Sequence, residues 1–389
     1  MTSNLAATLG FISLRAVKSL MLTVCAVSLV ACSSGPEKPK PAELSANVAL
    51  INTRLMWSAR LGSVNFPLEV AVGKRADGFT VTTASGDGTV ASFDAKDGRE
   101  LWRTNLATSL AAGVGSDGSL AAVVTNANEV VIMDAGRVLW RQKLSAAAFT
   151  APLVAGGRVF VLGSDRSVTA FDGQTGRRLW TQKRPAEALV LRQAGVLLAM
   201  DDTLVVGLAG RLVGMNFLDG SVRWETPIAT ARGTNDVERM VDLIGRVSRE
   251  DDVVCARSFR VSVGCVNGVK GTLLWTKPAA GFDGVHGDTT AVFGVENDGK
   301  IIAWNRTNGE RLWSTERLQY RSLTAPVVAG RAIVVGDSTG LVHWLSKSDG
   351  SPLTRLVTDG SAIASPPVLA GNTLVVTTRN GGVFGFSVE

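Results

Sequence analysis

The stretch FDGQTGRRLW, Phe171–Trp180, decides the fold, because near copies of it punctuate the chain. FDAKDGRELW ends at Trp102, MDAGRVLW at Trp140, MNFLDGSVRW at Trp224, VNGVKGTLLW at Trp275 and WNRTNGERLW at Trp313. A seventh copy, LSKSDGSPLT, carries Thr354 where the tryptophan belongs. From Trp102 to Thr354 successive ends lie 38 to 51 residues apart. A period of that length marks a solenoid or a propeller.

Each copy reads as a β-hairpin. An apolar strand runs to an Asp or Asn, a turn such as Asp97-Gly98, Thr175-Gly176, Asn308-Gly309 or Asp349-Gly350 reverses the chain, and a strand bearing Trp follows. Glycine supplies the positive φ that such turns require. Upstream lies a second hairpin, as in GRAIVVGDSTGLVHWL (330–345), apolar on both sides of Thr339-Gly340. Four short strands in about 40 residues make one propeller blade. No segment beyond the N-terminal region carries a helical period, so the expected fold is all-β.

The ends set the blade number. TRLMWSARLG (53–62) is an isolated outer strand with Trp57, and NGGVFGFSVE (380–389) stops three strands into a blade. Pairing the two removes both open sheet edges. Positions 57, 102, 140, 180, 224, 275, 313 and 354 then count eight four-stranded antiparallel blades, with the N-terminal strand closing the C-terminal one. The repeated tryptophans are read as wedges between blades rather than a ligand cage, since one ring buries ~150–250 Å². Asp94, Asp134 and Asp172 recur at one blade position and are read as turn and inter-blade hydrogen-bonding residues.

Residues 1–31 read as a secretory signal. Arg15 and Lys18 precede the 13-residue apolar run SLMLTVCAVSLVA, too short to span a bilayer, and Cys32 follows. LVAC resembles the lipobox of bacterial lipoproteins, which implies lipidation of Cys32, and Ser33 after it implies the outer membrane; the alternative is a secreted protein with an incidental cysteine. Residues 32–50, opening CSSGPEKPKPAEL, have the composition of a flexible tether, leaving 51–389 for the propeller. Without the signal the net charge of +6 loses two basic residues and becomes +4, scattered and without a basic block, which argues against nucleic acid. Cys255 and Cys265, ten residues apart on neighbouring strands, form either a cross-strand disulfide or two buried thiols. With no CxxC or histidine beside them, no metal site is expected.

The motif xDxxTGxxLW resembles the PQQ-type repeat of quinoprotein dehydrogenases over almost all of residues 51–389. That resemblance implies the fold; the dehydrogenase activity it also raises requires a catalytic Asp, a calcium site and usually adjacent cysteines, and no Cys-Cys pair occurs here. Together with the lipobox and tether, the segments RSLTAPVV (321–328), VVGDSTGLVHWL (334–345) and NDVERMVDL (235–243) are similar to the BamB family, lipoprotein propellers of the outer-membrane β-barrel assembly machine. The resemblance implies a non-catalytic, cofactor-free scaffold, lipid-anchored at the periplasmic face of the outer membrane. It would bind the POTRA domains of BamA, and through them the other lipoproteins of the machine, with unfolded outer-membrane proteins as clients.

Two successive connections are longer than the rest: after Trp180 the next blade resumes near Gly195, and after Trp224 near Arg246. Loops on a rigid scaffold are where recognition sits. The first supplies Leu189, Leu191 and Arg192, the second Glu238, Arg239 and Asp242, apolar anchors with arginine among acids. Leu189, Leu191 and Arg192 match the family's Leu-x-Leu-Arg contact motif, and Asp242 matches the first of its two acids, but Ile244 stands at the second. The competing reading has Leu189 and Leu191 beginning an inner strand and buried at home. No catalytic residue is expected: His286 and His343 lie in different blades, neither beside a nucleophile.

Overall fold

The computed structural model describes residues 39–184, 189–232, 234–235 and 239–389. Its compact unit, Pro41–Glu389, is all-β: thirty-two strands form eight four-stranded antiparallel sheets, the blades of a propeller. Blades 1 to 7 span residues 71–105, 115–143, 153–183, 197–227, 243–278, 285–315 and 327–357, with strands in chain order from inner to outer. Blade 8 takes its three inner strands from 368–387 and its outer strand, Leu55–Arg60, from the other end of the chain, with Ala59 opposite Val383. This is the closure the two incomplete ends require.

Burial falls from the middle of each blade outward. In blade 3 the strands Arg158–Leu162 and Ser167–Asp172 are largely buried, whereas Arg178–Lys183 is mostly exposed. The core is therefore divided among the seams between blades. At one seam Phe160, Val168 and Ala170 of blade 3 pack against Leu204, Val206 and Met215 of blade 4, two twisted sheets meeting face to face.

The repeat motif builds these seams. In blades 1 to 7 the register between third and fourth strands slips at the same point, just before the Asp, Asn or Ser that opens the turn. Such a bulge bends the strand and re-aims its side chains. The Trp then reaches the turn glycine of the next blade. Gly309 has φ +72° and a Cβ there would lie 2.5 Å from the ring of Trp275; Gly176 and Trp140 repeat the arrangement at 2.6 Å. One glycine thus meets two requirements, a left-handed turn and a seat for an indole. Several indoles also donate across the seam: Trp57 to Ala95 O (3.0 Å), Trp140 to Gly173 O (2.9 Å), Trp275 to Arg306 O (2.7 Å) and Trp313 to Lys347 O (2.8 Å).

Blade 7 explains its missing tryptophan. In the other blades except blade 2, where Trp140 faces Ile132, the wedge stands opposite a small residue, as Trp313 opposite Ala303 or Trp224 opposite Gly214. Here Thr354 stands opposite Trp344 on the neighbouring strand, and Trp344, 1% exposed, packs with Leu374, Val376 and Phe386 of blade 8. The large and small residues have exchanged strands while the seam stays filled.

The compact unit begins earlier than Ile51. Residues 41–50, whose composition suggests a tether, lie against blades 6 and 7. Ala42 N donates to Gln319 O and Leu50 N to Leu353 O, both at 2.9 Å. Asn47 Nδ2 donates to Arg355 O (2.9 Å), Arg321 reaches back to Ala42 O (3.1 Å), and Leu44 packs beside Leu318 and Leu323. Composition misses this strap because most of its hydrogen bonds use its own backbone groups, which every sequence has.

Candidate functional site

The turns between second and third strands share one face of the ring with the connections that lead from blade to blade. Ser338 N, for example, donates to Arg321 O, and Ser164 N to Ala147 O. On this face the connections 184–196 and 228–242 are the longest between successive blades, and both adjoin blade 4.

The first connection reaches the face with Leu189 42% exposed. Leu191 is half-buried, Arg192 exposed, and the inner strand of blade 4 starts only at Leu197. Leu189 and Leu191 therefore do not begin that strand. The guanidinium of Arg192 lies over the ring of Phe149, 5.5 Å from its centroid, within cation–π range.

The two connections are bound together. Asp242 accepts the N–H of Leu191 on Oδ2 at 3.1 Å and pairs through Oδ1 with Arg166 at 3.3 Å. With side-chain exposures of 15% for Asp242 and 7% for Arg166 this is a largely buried pair. Both oxygens of Asp242 are thus engaged within the chain, and its direct effect is to set the course of the first connection. Ile244, 1% exposed, bridges to Gly195 as a strand partner, and Gly245 N donates to Ala194 O at 2.9 Å. The isoleucine at the position of the family's second acid is therefore a core residue that seams the two loops. Arg239 is exposed, and its N–H closes a turn on Asn235 O at 3.1 Å. Glu238 lies outside the described residues, as does Cys32.

Arg166 is the residue the sequence reading missed. It occupies the hairpin turn of blade 3 with φ 59°, a conformation that Gly88, Gly340 and Gly381 adopt in the turns of other blades. A bulky side chain at a left-handed position is the available signal, since only a specific contact offsets that cost.

Cys255 and Cys265 face each other on neighbouring strands of blade 5 and are joined as a disulfide under Trp275. The histidines stand apart. His343 Nε2 is 2.9 Å from Asp337 Oδ2, which Arg321 Nε also reaches at 2.8 Å. Burial opposes ionisation of Asp337, but hydrogen bonds from His343, Leu341 N–H and Thr339 hold its carboxyl well below the usual range. His286 accepts Val328 N–H, and burial with Arg246 and Arg306 nearby pushes it down to about 3, so it is neutral. Asp172 accepts the N–H groups of Gln174 and Thr175 in its own turn, and Asp94 that of Lys96. Among the described residues no three His, Cys, Asp or Glu side chains are grouped to hold a metal ion.

Fold and surface thus define an eight-bladed propeller of the PQQ-repeat class, with its irregularity gathered into two loops. The family model described as outer membrane protein assembly factor BamB matches residues 86–315. The chain is 37% identical over 369 residues to the outer membrane protein assembly factor BamB of Burkholderia pseudomallei, covering 93% of this chain and 96% of that one. The crystal structure of BamB from Moraxella catarrhalis superimposes with a TM-score of 0.77 at 26% identity, covering 86% of this chain and 99% of that one. Quinohemoprotein alcohol dehydrogenase from Comamonas testosteroni gives 0.66 at 13% identity over 89% of this chain and 78% of its own, a likeness of fold alone. The chain belongs to the BamB family: it is a non-enzymatic propeller subunit of the outer-membrane protein assembly machinery, associated with the outer membrane.

Proposed function

We propose that this propeller is a scaffold, lipid-anchored through Cys32 at the periplasmic face of the outer membrane, that binds the POTRA domains of BamA. Through BamA it would meet the other lipoproteins of the machine and assist folding and insertion of outer-membrane proteins. The observation that carries the reading is the Arg166–Asp242–Leu191 clasp. It holds a long connection on the loop-bearing face on which both Leu189 and Arg192 are exposed. Burying one leucine contributes roughly 1.5–3 kcal/mol, and an arginine beside it adds directional hydrogen bonds, a combination typical of binding hot spots. Arg239 of the second connection, exposed, belongs to the same proposed contact, as does Glu238 by its place in the sequence, while Asp242 holds the first connection from beneath.

The test is capture of BamA by the purified propeller and by Leu189→Ala/Arg192→Glu. Both substitutions fall on exposed side chains, so the variant keeps the wild-type circular dichroism and melting temperature while losing capture by at least about tenfold, the equivalent of 1.4 kcal/mol. Equal capture by the two folded proteins would place the interface elsewhere.

A further inference from the structure

At the ring axis, on the loop-bearing face, lies a funnel of about 600 Å³ built from the connections of several blades. A second cavity of about 310 Å³ adjoins it, sharing Asp283, Pro366 and Arg379 in its wall. A volume of this size is that of a small-ligand site.

Three guanidinium groups line the funnel: Arg192, Arg246 and Arg379. Each leaves most of its five donors unused among the described residues. Arg246 gives one N–H to Pro367 O, Arg379 one to Val64 O at 3.3 Å, and Arg192 only overlies Phe149. Against them stand two carboxyls. Glu69 is engaged by Ala151 N–H at 3.1 Å, and burial raises its pKa despite that bond and the nearby charge of Arg246. Asp283 accepts no hydrogen bond among the described residues; Arg257, whose charge acts on it, is already paired with Glu296 at 3.0 Å. Burial pushes Asp283 up to about 6. The rest of the wall is apolar, with Phe66, Leu68 and Val368. Surplus donors, one acceptor lacking a donor and an apolar wall converge in one space.

We propose that this funnel binds a carboxylate carried on an apolar body with an adjacent N–H, the pattern of an N-acyl amino acid or of the last residue of a polypeptide. The carboxylate meets Arg246 and Arg379, a planar match to guanidinium. The N–H donates to Asp283, and the side chain lies on Phe66 and Val368. Arg192 borders both the funnel and the proposed BamA contact, but Arg246, Arg379 and Asp283 take no part in that contact, so Arg379→Ala tests the funnel separately.

Calorimetric titration of the propeller with N-acetylphenylalanine, its C-terminal amide, 3-phenylpropionate and acetyl-Ala-Ala-Phe tests this. N-acetylphenylalanine is expected to saturate one site and its amide to bind at least about tenfold more weakly, the cost of one lost charge-assisted contact. Arg379→Ala should remove that preference for the acid. Asp283→Leu, which removes the acceptor, should lower the affinity of N-acetylphenylalanine relative to 3-phenylpropionate severalfold, the lost carboxylate charge acting alike on both acids. A tripeptide that binds as tightly as N-acetylphenylalanine or tighter supports a chain terminus as the ligand; one that binds more weakly supports a free small acid. Equal affinity for acid and amide, or no saturable binding of either acid, overturns the proposal. Capture of BamA by Arg379→Ala should equal that of the wild type whichever result is found.

Discussion

The seam between blades 5 and 6 and the seam between blades 3 and 4 are made from the same motif and finished differently. Trp275 donates across its seam to Arg306 O at 2.7 Å. Trp180, at the same repeat position, has its Nε1 buried without a partner among the described residues, and the carbonyl of Phe217 across that seam accepts from Arg158 at 3.2 Å instead. Trp224, facing blade 5, is likewise unpartnered. Blade 4 therefore lacks the tryptophan bond on both sides, at the two seams spanned by the long connections; Trp344, at the seam of blades 7 and 8, is unpartnered as well among the described residues. In place of the repeated bond this sector has particular ones: the clasp of Arg166 with Asp242 and the strand bridge of Gly195 to Ile244. A ring can relax its repeat where it needs individual surface, provided that other contacts hold the sector.

The largest expected effect lies at the regular seam. Gly309→Val adds a β-branched side chain at φ +72° against the Trp275 ring. It should destabilise the fold by about 3–5 kcal/mol in urea unfolding, from backbone strain together with overpacking. Asp242→Ala strikes the irregular sector. It leaves Arg166 nearly buried without its carboxylate and should cost about 2–3 kcal/mol, short of a fully buried pair because Asp242 retains some solvent. Faster amide exchange at Leu191 should accompany the loss. If exchange there is unchanged, the clasp does not order the loop.

A finer contrast comes from paired substitutions. Trp275→Phe and Trp180→Phe remove similar ring area, but only the first breaks a hydrogen bond, so it should cost about 1 kcal/mol more. Equal losses would mean that the unpartnered indole is satisfied in solution.

A separate contrast, set by pH rather than by packing, concerns two buried titratable groups. His286 is held near 3, below its ordinary 6.5, so the unfolded chain binds the proton more readily. Its contribution is present above 6.5 and is lost as pH falls toward 3. Asp283, raised to about 6 from 3.8, acts oppositely: the folded chain binds its proton more readily, and stability from this group grows as pH falls from above 6 to about 4. His286→Gln should flatten the acid loss of stability, whereas Asp283→Asn should raise the melting temperature at pH 7 and leave it nearly unchanged at pH 4. A matching shift at both values would contradict the assignment for Asp283.

How much could be read in advance follows from the same contrast. The blade number and the glycine turns were legible because they recur, and recurrence separates signal from accident; the closure by Leu55–Arg60 was legible because the repeat left one strand over at one end and one short at the other. The exchange of Trp344 for a wedge at Thr354 was not, since it needs the pairing of two strands that sequence spacing alone leaves open. In the long connections the exposed Leu189 and Arg192 could be located by counting, but the inward turn of Asp242 could not: its partner Arg166 is remote in sequence and sits in another blade's turn. Isolated polar pairs leave no period to detect.

The strap at 41–50 carries a mechanical consequence. Any pull on the N-terminal chain reaches the contacts of Ala42, Asn47 and Leu50 with blades 6 and 7 before it reaches Leu55–Arg60, the strand that closes the ring. The strap thus works as strain relief does on a cable. Load is shed into the side of the propeller, and the ladder that keeps the circle shut is spared.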